Sequence, residues 1–219
     1  MRIDIHSHVI PTRIIDQITR SPGLFAARIE GEAHARKVIH EQGYAYPLFA
    51  EFHDPEAKLE SMNRKGIDIS VISPAPPMFY YWADVDVAVK AAQLVNDGIA
   101  DMVATKPRRL RGMATIPLQH PDAAIAEMER VVREYDFKAI EIGTSVEGVQ
   151  LAERKFRPIL KRAQELGLFV FAHPYYVGAK SGLECYYLTN RIGNPLDTTV
   201  MLANLMCSGA LDDLDELRL

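Results

Sequence analysis

Two rhythms of apolar and polar residues take turns along this chain. Residues 3–8, "IDIHSH", have a period of two, which puts Ile3 and Ile5 on one face of a strand and Asp4, His6 and His8 on the other. "PTRIIDQITR" then changes to helical spacing, with Ile14, Ile15 and Ile18 on one face and Pro11 suited to the first turn. Residues 21–52 are less regular and predict a small β insertion. From residue 54 the alternation is clear. Asp54 as N-cap, Pro55 and Glu56 in the first turn and Gly66 past the end delimit a helix, and "IDISVISP" follows as a strand.

Three further helix–strand steps follow. A long helix over 83–107 carries Ala88, Ala92, Val95, Ile99 and Met102 on one side and leads to the strand "LRGMATIPL". A helix over 120–136 with Ile125, Met128, Val132 and Tyr135 at spacings of three and four leads to "FKAIEIGT". A helix over 154–167 with Phe156, Ile159, Leu160 and Ala163 leads to "LFVFAHP". Residues 174–195 read as a long polar and aromatic loop. The next helix offers Val200, Leu202, Leu205 and Met206 to a core, and "LDELRL" looks like a sixth strand starting near Leu217.

Short connections and nearly continuous apolar strands are the mark of a parallel sheet covered by helices on both faces. A (β/α)₈ barrel and a doubly wound sheet both fit that rhythm. The polar residues favour the barrel: His6 and His8, Glu141 and His173 all fall at the C-terminal ends of different strands, where a barrel builds its site. An open sheet would concentrate its site at one switch point, often with a glycine-rich turn, and the sequence has none there. The expectation is an α/β TIM barrel of one domain over 1–219, stopping after five to six strands and so incomplete at its C-terminus.

Composition narrows the partners. Of 219 residues, 48% are hydrophobic and 25% charged, an ordinary globular balance, and the net charge of −4 argues against a basic surface for nucleic acid. The basic group Lys106, Arg108, Arg109 and Arg111 reads as a solvated helix end. No apolar run is long enough to span a bilayer and no signal peptide is visible, so the expected location is cytoplasmic. Two cysteines, Cys185 and Cys207, have no neighbouring histidine or base, and ordinary packing is expected of them.

The candidate chemistry lies at the strand ends. Two imidazoles two apart on a strand reach one ion from one side, and His173 supplies a third, leaving a position open as catalytic zinc sites do. Asp4 is placed to orient a ligand from behind. Glu141 reads equally as a ligand or general base and as the partner of a nearby basic residue. "SPAPPMFYYWAD" follows the second strand, and its Met78, Phe79 and Trp82, with Tyr80 and Tyr81, either line an apolar pocket at the same rim or pack as a loop on itself or a partner subunit. His34, His40, His53 and His120 are expected on the surface or in loops.

"DIHSHVIP", "DPEAKLESMNRKGID", "PPMFYYWAD", "PRRLRGMATIPLQHPDAAIAEME", "AIEIGT" and "LFVFAHPYY" come in an order that resembles the amidohydrolase-related metal-dependent decarboxylases of the aminocarboxymuconate-semialdehyde decarboxylase type. The resemblance is weakest over 20–50. It implies a metal-dependent TIM barrel with His6, His8 and His173 as zinc ligands and a small unsaturated or aromatic carboxylate as substrate, which loses CO₂. It also implies a later Asp ligand and a later acid/base His, both beyond Leu219, and an arginine shortly before "DPE"; residues 44–53 contain none. Two other readings stay open: a metal-dependent hydrolase of the same superfamily, and an inactive truncated barrel serving as a binding or assembly module. A homodimer is compatible with all three.

Overall fold

The computed structural model describes residues 1–32, 35–175 and 182–219. Its frame is a run of parallel strands in chain order. Strand β1 (Ile3–Val9) leads through helix α1 (Thr12–Arg20) to a three-stranded antiparallel sheet, β2 (Ala27–Glu30), β3 (Lys37–His40) and β4 (Ala45–Pro47). The chain returns to the frame through α2 (Pro55–Lys65) and β5 (Ile69–Pro74). It continues with α3 (Val85–Thr105), β6 (Leu110–Gly112), α4 (Pro121–Tyr135), β7 (Ala139–Gly143), α5 (Arg157–Glu165), β8 (Phe169–His173) and α6 (Asn194–Cys207).

β1 pairs with β5, β5 with β6 and β7 with β8, all parallel. The bridge Ala114↔Ile140 joins the two halves, and Phe169↔Arg218 adds a sixth position after β8. The Val170 N–H donates to the Arg218 carbonyl at 2.7 Å, so the strand expected near Leu217 does begin there. Parallel strands in chain order, joined by connections that each carry at least one helix, give the frame of a barrel.

The local signals behind the helices hold at atomic detail. The Asp54 side chain accepts the Glu56 N–H, Pro55 fills the first turn of α2 and Gly66 closes it in the left-handed conformation. The isoleucines of α1, the five named residues of α3 and the apolar set beside α5 are all buried.

Four expectations need correction. In α4 the expected stripe is only part of the buried face: Met128 is fully buried and Ile125, Val132 and Tyr135 pack half-buried against the core, while Ala124, Glu127 and Val131 complete the face. Glu127 turns inward because it is satisfied there: Arg130 Nε donates to its Oε2 at 2.8 Å and Asn96 Nδ2 to its Oε1 at 2.6 Å. In α6 only Met201 and Leu205 are buried, while Val200, Leu202 and Met206 are exposed, because the helix touches the frame by a narrow i, i+4 stripe. Arg109 is not a solvated helix end: it donates to the Asp68 and Ile67 carbonyls, tying the loop before β5. Cys185 and Cys207 are exposed thiols and are not packed.

Candidate metal centre

β1 is not a plain strand. Asp4 pairs with Ser70 but Ser7 with Ile72, so β1 carries one residue more than β5 between these points. Such a bulge re-aims side chains. Here Asp4 Oδ1 accepts the His6 N–H at 3.3 Å, and Ser7 turns outward to Lys58, whose Nζ donates to Ser7 Oγ at 3.0 Å and to the His8 carbonyl at 3.1 Å. Lys58 is buried on α2, and burial draws its ammonium down to about 8 against the pull of Glu51. Asp4 therefore sits at the bulge, outside the cluster its neighbours form.

That cluster is His6, His8, Glu141 and His173, with one ligand atom from each lying within 4.8 Å of the others. The ring centroids of His6 and His8 are 4.5 Å apart, and His173 is 5.0 Å from each. β1, β7 and β8 deliver these side chains to one end of the frame, and the ring of Phe171 stacks on His6 from below at 4.7 Å. Glu141 is fully buried; its Oε1 is 3.2 Å from His6 Nε2, and its Oε2 has no hydrogen-bond partner.

The imidazoles are set for coordination by what holds their far sides. The Pro174 carbonyl can only accept, so His173 Nδ1 carries the hydrogen and donates to it at 2.7 Å, leaving Nε2 a free lone pair. His8 Nδ1 is held by the Tyr46 hydroxyl at 3.0 Å, and its Nε2 is buried without a hydrogen-bond partner. Burial, helped by the neighbouring His6 and His173, pushes His8 down to about 2, and burial also lowers His173. A neutral ring with an unshared Nε2 pair, as at His173, is what a divalent ion requires, and His8 Nε2 has no competing hydrogen-bond partner. Burial raises the Tyr46 phenol to about 12, keeping it protonated.

Beside the cluster opens a cavity of about 310 Å³ bordered by His8, Tyr46, Pro76, Pro77 and His173. The loop after β5 does reach this rim, but through its prolines. Met78 and Phe79 are buried in the core, and Trp82 lies against His40 and Tyr80, with ring centroids at 6.2 and 5.0 Å. None of the three borders the cavity. His40 is a core residue at 1% exposure and not a surface one, because β3 packs it under Tyr80. His53 and His120 are half-buried, and His34 lies outside the described residues. Of the loop expected at 174–195, residues 176–181 also lie outside them, and Thr189–Gly193 form a π-helical turn.

Tyr46 and Lys58 escaped the sequence reading. Tyr46 sits on an irregular insertion with no motif. Lys58 occupies a position of the buried stripe of α2, four residues before Met62, and that placement was its only signal.

A family model described as Amidohydrolase matches residues 3–219. A 2-amino-3-carboxymuconate-6-semialdehyde decarboxylase from Dictyostelium discoideum is 28% identical over 221 residues, covering 100% of this chain and 61% of the relative. The crystal structure of Metarhizium anisopliae IDCase in apo form superposes with a TM-score of 0.82 at 25% identity, covering 100% of this chain and 64% of that one. A 5-carboxyvanillate decarboxylase from Novosphingobium aromaticivorans, complexed with manganese and 4-hydroxy-3-methoxy-5-nitrobenzoic acid, gives 0.78 at 24% identity over 99% of this chain and 63% of that one. The chain thus spans less than two thirds of the length of each of these relatives.

Proposed function

We propose a function from one premise: the chain belongs to the amidohydrolase family. Its site holds a divalent metal ion through His6, His8 and His173, and the protein acts as a carboxy-lyase on a small unsaturated or aromatic carboxylate. The observation that carries this reading is the convergence of three imidazoles and a buried carboxyl within 4.8 Å at the ends of parallel strands. The orphaned His8 Nε2 and Glu141 Oε2 support it, since buried polar atoms are rarely left without a partner.

A divalent ion bound there would supply Lewis-acid orientation and charge stabilisation to a carboxylate substrate. The chain's own residues do the preparatory work. Pro174 and Tyr46 fix two imidazoles by their Nδ1 atoms, and the bulge in β1 aims His6 and His8 the same way. Pro76 and Pro77 give one wall of the cavity an apolar surface that limits water. Three imidazoles suit zinc, while the manganese of the N. aromaticivorans enzyme fits the buried carboxyl equally, so zinc is proposed as the resident ion and manganese as its competitor. The exposed thiols of Cys185 and Cys207 suit a reducing, cytoplasmic setting.

Elemental analysis of the purified chain tests the site. About one equivalent of zinc or manganese per chain is expected, falling below about a tenth in His6→Ala, His8→Ala or His173→Ala. Unchanged metal content in these variants would sink the assignment. A CO₂-release assay run beside an amide- and ester-cleavage assay separates the lyase from a hydrolase of the same family.

A further inference from the structure

We propose that Lys58 is a positioning residue of the metal centre: together with Phe52 and Tyr46 it grips His8 by main chain and ring at once, and it holds the bulge of β1 in the shape that aims the ligands. The inference rests on the metal reading above and adds to it a residue that is not itself a ligand.

Helix α2 buries Lys58 at 3% exposure, on the stripe that also buries Met62. A lysine normally carries its ammonium out to water, and burying one is costly unless its hydrogens find partners. Here the partners are on β1. Nζ donates to Ser7 Oγ at 3.0 Å and to the His8 carbonyl at 3.1 Å, and it stands 5.8 Å from the centre of the Phe52 ring. The bulge lies between the pairs Asp4↔Ser70 and Ser7↔Ile72, so the lysine takes hold where regular pairing resumes. A bulge interrupts the ladder of the sheet, and contacts from outside the sheet then decide its shape.

A second arm reaches the ring of the same histidine. Phe52 stacks on Tyr46 with ring centroids 5.8 Å apart and 29° between the planes, and Tyr46 Oη lies 3.0 Å from His8 Nδ1. Phe52 is also tied to the end of β1, since its carbonyl accepts the Ile10 N–H at 2.8 Å. Lys58, Phe52 and Tyr46 thus make a closed circuit of contacts that begins and ends on His8. Turning the imidazole means moving Tyr46 against Phe52, and moving the peptide means breaking the lysine's hydrogen bonds. Charge works the other way. An ammonium bonded to a ligand's own carbonyl repels a divalent ion. The lysine therefore serves the site through geometry, and geometry and charge predict opposite changes in metal affinity when it is removed.

Titration of the 219-residue chain with Co²⁺, whose d–d absorption bands report the arrangement of its ligands, is the test. Lys58→Met keeps a stem of similar length and loses the ammonium. It is expected to weaken Co²⁺ binding about tenfold, the scale for groups that hold a ligand from behind, and to shift the bands at saturation. Unchanged or tighter binding would mean that charge outweighs geometry, and would overturn the proposal. Weaker binding with wild-type bands at saturation would overturn it too, by marking a lysine that supports only the fold. Ser7→Ala removes one of the two acceptors and little volume. It decides alone if circular dichroism shows that Lys58→Met does not fold: a loss of about threefold with shifted bands is expected, and wild-type affinity and bands would overturn the proposal. Failure of the wild type to bind Co²⁺ is a different result, recognised because Lys58 is intact; it removes the metal reading and this inference with it.

Discussion

His40 shows how one buried side chain sets a pH response away from the metal centre. Both of its ring nitrogens are buried without a hydrogen-bond partner, and burial holds its pKa at about 4. The unfolded chain keeps an ordinary value of 6.5. The unfolded state therefore binds the extra proton first as pH falls, so the folded state is favoured above pH 6.5 and loses stability progressively down to about pH 4. The shift amounts to about 3 kcal/mol across that window. His40→Phe, which keeps an aromatic ring under Tyr80, removes this component. Urea midpoints of the two proteins at pH 7 and pH 4.5 should show a clearly shallower decline for the variant. Parallel declines would mean that His40 is not a neutral core residue. The sequence held no sign of this histidine's burial, because it lies on an insertion whose only long-range cue is packing against Tyr80 and Trp82.

At the level of elements, much was legible because local chemistry and periodicity agreed. The cap of α2, the isoleucine stripe of α1 and the apolar face of α3 are set by residues within a turn or two of each other. The face of α4 was read incompletely where a carboxylate went inward, since Glu127 is made tolerable inside by Arg130 one turn on and by Asn96 of α3, a partner that spacing along α4 does not reveal. The meeting of His6, His8 and His173 was inferred from their strand ends, whereas the contribution of β4 to the same cavity through Tyr46 depends on how the insertion folds back.

A contact between elements also decides the sign of one substitution. Gly98 lies inside α3, where alanine would ordinarily stabilise the helix by about 1 kcal/mol. Here a Cβ on residue 98 would sit 2.3 Å from Pro11 Cβ at the start of α1. Two packed helices cannot both yield that distance without shifting, and overpacking of this kind costs about 1–3 kcal/mol. Gly98→Ala is therefore expected to lower the urea midpoint. A rise would show that α1 and α3 are less closely seated than Pro11 implies.

For the molecule as a whole, the parallel frame runs β1, β5, β6, β7, β8 and on to Arg218, with the ligand cluster spanning its interior from β1 to β8. β1 is paired on one side by β5, and among the described residues no strand pairs with its other edge. The same strand exposes Ile3 at 50% and Ile5 at 58%, and Met206 on α6 stands at 63%. An edge with free N–H and C=O groups and apolar side chains beside it is a template for another strand. The 219-residue chain is therefore expected to self-associate at concentrations of about 10–100 µM. The association should be through β1 rather than through charged surface, so salt should not dissolve it. A lysine on an exposed edge strand blocks such pairing by placing a charge where a second sheet would bury it. Ile5→Lys changes a side chain on the solvent side of β1, opposite the histidines, and should leave metal content intact while shifting the population toward monomer in sedimentation velocity. A wild-type chain that stays monomeric throughout that range would show that the edge is protected in solution. Association unchanged by Ile5→Lys would move the contact to another face, with the exposed stripe of Val200, Leu202 and Met206 on α6 the next to mutate.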